Sequence, residues 1–387
     1  MLPTAALFIA SKFVPAMLAP FLTAKLDQVA VRRSLPTLYA LEALVFAALA
    51  RVAEGEFFLI LVLVLALADG ALAVTARGLT RGAIATTLQP AGLLAEGNAL
   101  INIGFAFASV GGAALAGIVI SEFSISTALW IDAISFLAIA VLLAVTRGLP
   151  AAHEEREPWW PRVRSGIDYA RTDPRVKLLL WGEALALILF TLIIPIEVVY
   201  AKESLGATSA GFGLLLASWG AGIVIGSLVY VTVRGRSAAL LILASTAAIG
   251  LAYLGMAAAQ SLAVACLLSV LGGTGNGIQW VAVVTALQEA TPARFQARIV
   301  GLLESLLAAV PGAGYILGAA ITALASPRLA YAVSGIGILL LVAVGAIVRR
   351  RTRIDLGATP HDAEPRVPRT QHDAAPDSSG VIPGRRQ

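Results

Sequence analysis

Residues 130–143 read WIDAISFLAIAVLL and lie inside an apolar run at 126–146. A helix needs roughly 20 apolar residues to cross a hydrocarbon core of about 30 Å, and this run has that length. Comparable runs recur along the chain, at about 3–23, 35–53, 56–77, 98–120, 177–200, 210–232, 237–257, 262–285, 299–323 and 328–348. The pattern predicts an all-α membrane protein with about 11 transmembrane helices.

The composition supports a membrane protein and argues against several other classes. Apolar residues make up 58% of the chain, charged residues make up 13%, and the mean hydropathy is +0.86. A soluble domain of this size would not carry such values. The single cysteine, Cys266, excludes a disulfide framework and a cysteine-based metal site. Because the basic residues stand beside the apolar runs, the net charge of +5 does not indicate nucleic-acid binding. We expect no cofactor and no metal.

Arginine and lysine are concentrated in alternate connections between the apolar runs. One set of connections holds most of them, including Arg77, Arg81, Arg234 and the run 349–353, whereas the other set holds only Arg51, Lys202 and Arg328. The positive-inside rule places the rich set in the cytoplasm. The sequence therefore predicts a multi-pass protein of the cell inner (plasma) membrane with a cytoplasmic C-terminus. On an odd number of spans, Met1 would lie outside.

Two segments fall outside the predicted spans and divide the chain. In 148–176, Trp159, Trp160 and other apolar residues alternate with arginines, which is typical of an amphipathic helix on an anionic membrane surface; a solvated loop is the alternative. Residues 350–387 are rich in proline, aspartate, serine and arginine and predict a disordered tail. We therefore expect an N-terminal helical half at 1–147, a cytoplasmic linker at 148–176, a six-helix half at 177–349 and a cytoplasmic tail.

Four stretches carry a family resemblance. They read AEGNAL at 95–100, followed by GAALAGIVI at the end of the same run, WIDAISFLAIAVLL at 130–143, SGIDYARTDPRVKLLL at 165–180 and TPARFQARIVGLLES at 291–305. Each is similar to the corresponding stretch of the major facilitator superfamily, and in particular of its macrolide-efflux and enterobactin-exporter branch. The resemblance implies two helical-bundle halves that rock about a central site. We expect the transporter to be a monomer.

One helix of that family plan has no counterpart. The family's cytoplasmic loop follows its second helix, whereas the similar stretch TAKLDQVAVRR at 23–33 follows the first apolar run here. The N-terminal half would then contain five helices and lack the first family helix. Two explanations remain open. The functional polypeptide begins upstream of Met1 and supplies one more helix, or the chain is a shortened transporter.

Charged residues inside the predicted spans are candidates for function, because a charge in the bilayer is costly without a partner or a water-filled cavity. The rise per residue puts Asp69, Glu183, Asn276 and Gln279 at similar depths. In the family plan their helices line the central cavity. We predict that these four residues form a substrate and proton cavity that opens to the cytoplasm, with Lys12 as a possible counter-ion.

Two further carboxylates in the predicted spans, Glu42 and Asp132, belong to helices that are peripheral in the family plan. We expect them to be neutralised by neighbours on other helices.

The resemblance also implies a cytoplasmic gate. In the family the loop after the second helix holds the two halves together, near the start of the eleventh family helix. The matching residues here are Asp27, Arg32 and Arg33, with Arg298 as the expected partner on the other half. A glycine–proline pair of the fifth family helix is Gly112–Ala113 here, which weakens an antiporter assignment based on that motif.

The motifs of an embedded enzyme are missing from the sequence: no HExxH pattern and no Cys/His cluster occurs in the predicted spans. The three histidines, His153, His361 and His372, all lie outside these spans, so carboxylates would have to carry any proton coupling. The resemblance implies a secondary active transporter that exports amphipathic organic molecules, as in multidrug resistance, by proton antiport. The alternatives are a siderophore or other metabolite exporter, and a truncated non-transporting membrane protein.

Overall fold

The computed structural model describes residues 31–55, 58–146 and 159–352, with Val14, Pro15, Leu18 and Leu22 as isolated positions before them. Within these ranges the chain is almost entirely helical and contains no strand. The long helices are α1 (Val31–Glu54), α2 (Leu59–Leu88), α3 (Leu94–Glu122), α4 (Ile125–Val145), α5 (Trp159–Thr172), α6 (Pro174–Thr191), α7 (Ser209–Val233), α8 (Ala238–Ala258), α9 (Leu262–Glu289), α10 (Gln296–Ala309), α11 (Pro311–Leu324) and α12 (Pro327–Thr352). The predicted span at 3–23 and the predicted tail beyond residue 352 lie outside the described residues.

Nine helical stretches in the described part of the chain are long and apolar enough to cross a membrane. The helix α3, with 29 residues, is about 44 Å long and also has sufficient length. The predicted all-α membrane fold is therefore confirmed. The helix that contains the third predicted span, α2, continues beyond residue 77 to Leu88. Arg77 and Arg81 lie inside this helix, where both are paired with a carboxylate.

The helices form two bundles. In the first, α1 packs against α4 and α2; in the second, α9 packs against α7 and α8, and α12 packs against α8 and α6. The two halves meet where α2 contacts α10 and where α3 contacts α7 and α9. The helix α5 lies against the second half, because Gly166 packs on Arg298 and the ring of Tyr169 stacks on Phe295 at 4.7 Å. We call this end of the bundle the linker end.

Glycines set the spacing between α7 and α9. A Cβ atom on Gly226 would overlap the carbonyl oxygen of Thr274, and one on Gly277 would overlap that of Ile223. Small residues allow such close backbone approach between helices in lipid. These glycines therefore allow the backbones of α7 and α9 to lie in direct contact.

Two spans of the second half are broken. The helix α6 ends at Thr191, and its span continues through a 3₁₀ turn at Ile194–Ile196, which contains Pro195, and a π-helical turn at Tyr200–Ser204. The span formed by α10 and α11 breaks at Val310, just before Pro311. Proline cannot donate the helical hydrogen bond at such points.

Candidate functional site

A cavity of about 810 Å³ lies between the two halves. Its wall is mostly apolar and aromatic, and its aromatic members are Tyr39, Phe105, Phe190, Trp280 and Tyr315. Its charged and amide side chains are Arg77, Arg81, Asn102, Glu183, Asn276, Gln279 and Glu304. A volume of this size and an apolar wall with a few polar groups are typical of sites for drug-sized molecules.

The structure brings three of the four predicted cavity residues together. Gln279 Nε2 on α9 donates a hydrogen bond of 2.7 Å to Glu183 Oε2 on α6, and both side chains are buried. Asn276, nearly one helical turn before Gln279, lines the same cavity. The carboxyl group of Glu183 therefore faces an apolar cavity with an amide donor as its neighbour.

Asp69 occupies a different place. It lies on α2, half-buried, and it is not among the described residues that line the cavity. Its charge acts on Glu42, which lies on the neighbouring helix α1. Similar depth along two helices did not place Asp69 beside Glu183, because depth does not fix the direction in which a side chain points.

The sequence did not single out Glu42 as a functional residue, yet the structure buries it almost completely. Its exposed fraction is 1%, and its Oε2 atom has no hydrogen-bond partner. Besides Asp69, Arg77 on α2 acts electrostatically on this carboxyl group. In the sequence, Glu42 is recognisable only as a single glutamate in an apolar run. In the structure, its buried oxygen without a hydrogen-bond partner calls for a physical explanation.

An ion-pair cluster joins the halves beside the cavity. Arg77 Nε donates to Glu304 Oε2 at 3.1 Å, and Arg81 Nε donates to Glu304 Oε1 at 2.7 Å. The guanidinium group of Arg81 also lies over the ring of Trp280, 5.1 Å from its centroid. We call Arg77, Arg81 and Glu304 the gate. The gate and the contacts beyond it lie between the halves on the side of the cavity toward the linker end, and the opening of the cavity to the cytoplasm stays a prediction.

Neutral and charged contacts continue the closure toward the linker end. Asn98 Nδ2 on α3 donates to Thr285 Oγ1 at 3.0 Å and to Gln288 Oε1 at 2.7 Å, both on α9. Gln288 Nε2 in turn donates to the backbone oxygen of Arg81 at 3.1 Å. At the outer edge, Arg234 pairs with Glu96. Each contact joins one half to the other, so the closed end is held by specific pairs.

The backbones of the halves also approach closely beside the gate. A Cβ atom built on Gly82 of α2 would lie 3.5 Å from the Cβ atom of Ala297 on α10. A Cβ atom at position 82 would therefore make an ordinary van der Waals contact with Ala297. This contact gives a well-defined distance that changes when the halves separate.

The cytoplasmic gate predicted from the sequence consists of different residues, Asp27, Arg32, Arg33 and Arg298, and only some of these lie within the described residues. Arg32 and Arg33 are exposed at the start of α1, whereas Asp27 and Lys12 lie outside the described residues. Arg298 Nη1 donates to Ser165 Oγ on α5 at 2.7 Å, and its guanidinium group lies over Phe295. Arg298 therefore ties the linker helix to the start of α10, the helix that carries Glu304.

The linker helix is held by a second contact. The hydroxyl group of Tyr169 donates to the backbone oxygen of Ala290 at 2.8 Å. Burial, which is the main cause, raises the pKa of Tyr169 to about 12. The phenol therefore stays protonated and keeps this hydrogen bond near neutral pH.

Within the described ranges, no group of three or more histidine, cysteine, aspartate or glutamate side chains could hold a metal ion. The chemistry available at the site is that of carboxyl, guanidinium and amide groups in an apolar cavity. Such a site can bind an organic molecule, exchange a proton and open or close.

Comparisons with known proteins address the family. The chain matches, over residues 4–379, the model of a family described as transmembrane secretion effector. The human organic anion transporter MFSD10 (TETRAN) has a similar structure, with a TM-score of 0.72 at 16% identity, over 88% of this chain and 83% of that one. No curated protein sequence matches the chain significantly.

Two further solved structures share the fold. The E. coli fucose:proton symporter has a TM-score of 0.65 at 15% identity, over 89% of this chain and 90% of that one. A bacterial homologue of the iron transporter ferroportin, in an outward-facing state, has a TM-score of 0.64 at 18% identity, over 90% of each chain. At these identities the likeness shows a shared fold.

Proposed function

The chain belongs to the transmembrane secretion effector family of the major facilitator superfamily, and on this premise we propose that it exports amphipathic organic molecules by proton antiport with alternating access. Drug-type and macrolide-type compounds are the leading substrates. The observation that carries the proposal is a cavity of about 810 Å³ between the halves that has a buried carboxyl group in its wall and a gate at one end.

The wall of the cavity supports an amphipathic substrate. Aromatic rings such as Phe105, Phe190 and Tyr315 offer apolar surface, and they stand opposite few polar groups. Because Arg81 and Glu304 pair with each other, the Glu183–Gln279 pair is a polar anchor for a substrate that does not require breaking this ion pair. A substrate with a hydrogen-bond donor or a positive charge fits a carboxylate in such a wall.

The same carboxyl group supports proton antiport. When Glu183 is protonated it no longer attracts a positively charged substrate, so proton and substrate compete for one site. Competition at a site that opens alternately to the two sides couples the two movements. We propose that Asp69, Glu183, Asn276 and Gln279 serve this substrate and proton exchange, with Lys12 as a possible counter-ion of Asp69 or Asp132.

The membrane orientation is part of the proposal. The basic residues near the linker end favour placing that end in the cytoplasm. The structure would then represent a state closed to the cytoplasm, in an inner membrane protein with a cytoplasmic linker at 148–176 between halves at 1–147 and 177–349. Asp27, Arg32, Arg33 and Arg298 would form the cytoplasmic rim beyond the gate.

One observation favours a second candidate, export of a siderophore or another anionic metabolite. The side chain of Arg77 is 47% exposed and lines the cavity, although it contacts Glu304. A partly free guanidinium group can bind a carboxylate or another oxygen anion of a substrate. In this case Arg77→Gln would abolish export, whereas for a cationic drug it would alter only the gate.

The decisive experiment measures accumulation in an efflux-deficient host. Expression of the protein is expected to lower the accumulation of macrolides, tetracycline or cationic dyes, and Glu183→Gln is expected to remove this effect. Glu203→Gln changes an exposed carboxylate of the same span and should export like the parent protein. If expression changes the accumulation of neither a broad panel of drugs nor anionic metabolites, the transporter proposal is rejected in favour of a non-transporting membrane protein.

A further inference from the structure

The Glu42 side chain is not used by the proposed transport site. It lies on α1, and the described charged groups that act on it, Asp69 and Arg77, both lie on α2. Tyr39, on the same helix and nearly one turn earlier, lines the cavity. Asp132 on α4, which also packs on α1, is exposed and does not act on it. A buried carboxyl group with an unpartnered oxygen thus lies on the helix that contributes Tyr39 to the cavity wall.

A charged form of Glu42 is costly in this place. Burying an ionised carboxylate costs several kcal/mol unless a cation or hydrogen bonds compensate for the lost water. The described group that could compensate is Arg77, and in this structure Arg77 donates to Glu304 on the other half. With the gate closed, Glu42 is therefore favoured in its neutral, protonated form.

Arg77 and Arg81 differ in their freedom to change partner. The side chain of Arg81 is 13% exposed and packs on Trp280, so it is held in place. The side chain of Arg77 is 47% exposed, and its bond to Glu304 is the longer of the two. When α2 and α10 separate, Arg77 loses Glu304, and the Glu42 carboxyl group, on which Arg77 already acts electrostatically, is available as an alternative partner.

We propose that Glu42 is a proton-binding site that controls the gate by competing with Glu304 for Arg77. When Glu42 is protonated it does not attract Arg77, so Arg77 stays paired with Glu304 and the closed gate is favoured. Loss of the proton creates a carboxylate that attracts Arg77 and favours the open gate. Because binding and conformation are linked, a proton that prefers the closed state must also stabilise that state. This inference rests on the alternating access of the proposed function, but it does not depend on the substrate.

The contact of Gly82 with Ala297 provides a direct measure of the gate. Their Cβ positions, 3.5 Å apart, suit a disulfide bond, whose Cβ atoms are usually about 3.5–4.5 Å apart. In a Cys266→Ser background, Gly82→Cys and Ala297→Cys supply the only two thiols. The rate of oxidative crosslinking in the full-length protein in membranes, without substrate, then reports how often the gate is closed.

The expected result is a pH-dependent ratio between the crosslinking rate of the Glu42→Gln variant and that of the background. Here the background is the protein that carries Cys266→Ser, Gly82→Cys and Ala297→Cys and retains Glu42. At about pH 5.5 the protonated form of Glu42 is favoured more than at about pH 8.5, so Glu42→Gln and the background should crosslink at similar rates. At about pH 8.5 the background should crosslink more slowly than Glu42→Gln, by about fivefold, which is a modest allosteric coupling. Using the ratio removes the pH dependence of the thiol chemistry itself. A ratio that stays constant over this range overturns the proposal.

Two further variants separate the proposal from simpler explanations. Asp132→Asn removes an exposed carboxylate on the adjoining helix and should match the background at every pH; a similar response to that of Glu42→Gln would overturn the assignment. If Glu42→Gln fails to reach the membrane, Arg77→Gln provides the test, because removing the shared cation should abolish the pH dependence while Glu42 remains. If the ratio depends on pH but the protein exports no substrate, Glu42 still controls the gate and the proposed transport function is rejected.

Discussion

Arg81 on α2 and Glu304 on α10 form an ion pair of 2.7 Å in which the two side chains are only 13% and 3% exposed. A charge pair so well shielded from water joins the halves beside the cavity. Breaking a buried pair by removing one partner is strongly destabilising, because the other charge remains buried and uncompensated. Opening the gate must therefore supply new partners for three charged side chains.

Glu304→Gln is expected to destabilise the closed gate by about 3 kcal/mol, because Arg77 and Arg81 both lose their anion. The crosslinking rate of the Gly82→Cys and Ala297→Cys pair should fall by at least about tenfold. Glu203→Gln removes an exposed carboxylate far from the gate and should leave the rate unchanged. Equal rates in both variants would show that the ion pairs do not hold the halves together.

Glu183→Gln and Asp69→Asn are each expected to abolish uphill export while leaving the amount of protein in the membrane unchanged. A neutral amide keeps the shape of the side chain but cannot exchange a proton. Substrate transport in proteoliposomes with an imposed pH difference measures uphill export. Downhill movement of substrate without the pH difference should persist in both variants. Concentration of substrate by both variants under the gradient would contradict their role in coupling.

Gly226→Ala is expected to destabilise the second half by about 1–3 kcal/mol, because the added methyl group would overlap the Thr274 carbonyl oxygen. Gly213→Ala lies on the same helix, and its Cβ would meet no atom within 4 Å. This matched variant should unfold like the parent or at a slightly higher temperature. Thermal unfolding in detergent compares the two, and equal losses would show that the α7–α9 contact tolerates a side chain.

Tyr169→Phe is expected to cost about 1 kcal/mol near neutral pH, because it loses the hydrogen bond to Ala290 and keeps the stack on Phe295. The pKa of Tyr169 is raised from 10.0 to about 12, so the neutral form is favoured in the folded protein. Its contribution is complete below about pH 10 and is lost as the pH rises toward 12. Unfolding temperatures at several alkaline pH values should therefore converge for the two proteins. A constant difference would contradict this interpretation.

The sequence predicted the parts of this structure that follow from local physics. Apolar runs of membrane length predicted the helices, and the 1.5 Å rise per residue brought Glu183 and Gln279 to one depth, where they are hydrogen-bonded. The gate could not be predicted in this way. Arg77 and Arg81 were assigned to a loop because arginine is usually found outside the bilayer. Their partner Glu304 lies more than 220 residues away, and only tertiary packing reveals the pair.

The burial of Glu42 is a second feature that could not be predicted from the sequence. A glutamate in an apolar run is equally compatible with a lipid-facing surface and with burial between helices. Its helix was expected to be peripheral, and α1 does pack mainly on α4 and α2, but this particular position faces inward. The rotation of a helix about its axis decides such cases, and the neighbouring helices set that rotation.

The two broken spans of the second half are mechanically coupled. A Cβ atom on Gly318 would overlap the carbonyl oxygen of Leu192, and one on Gly314 would press on Ile188 and Thr191, so α11 lies directly on the break after α6. With no side chain between these backbones, neither break can shift without displacing the other. We expect a small tilt of α10, which ends at Ala309, two residues before Pro311, to be passed through α11 into residues 192–204. We therefore expect the span that carries Glu183 to move when the span that carries Glu304 moves.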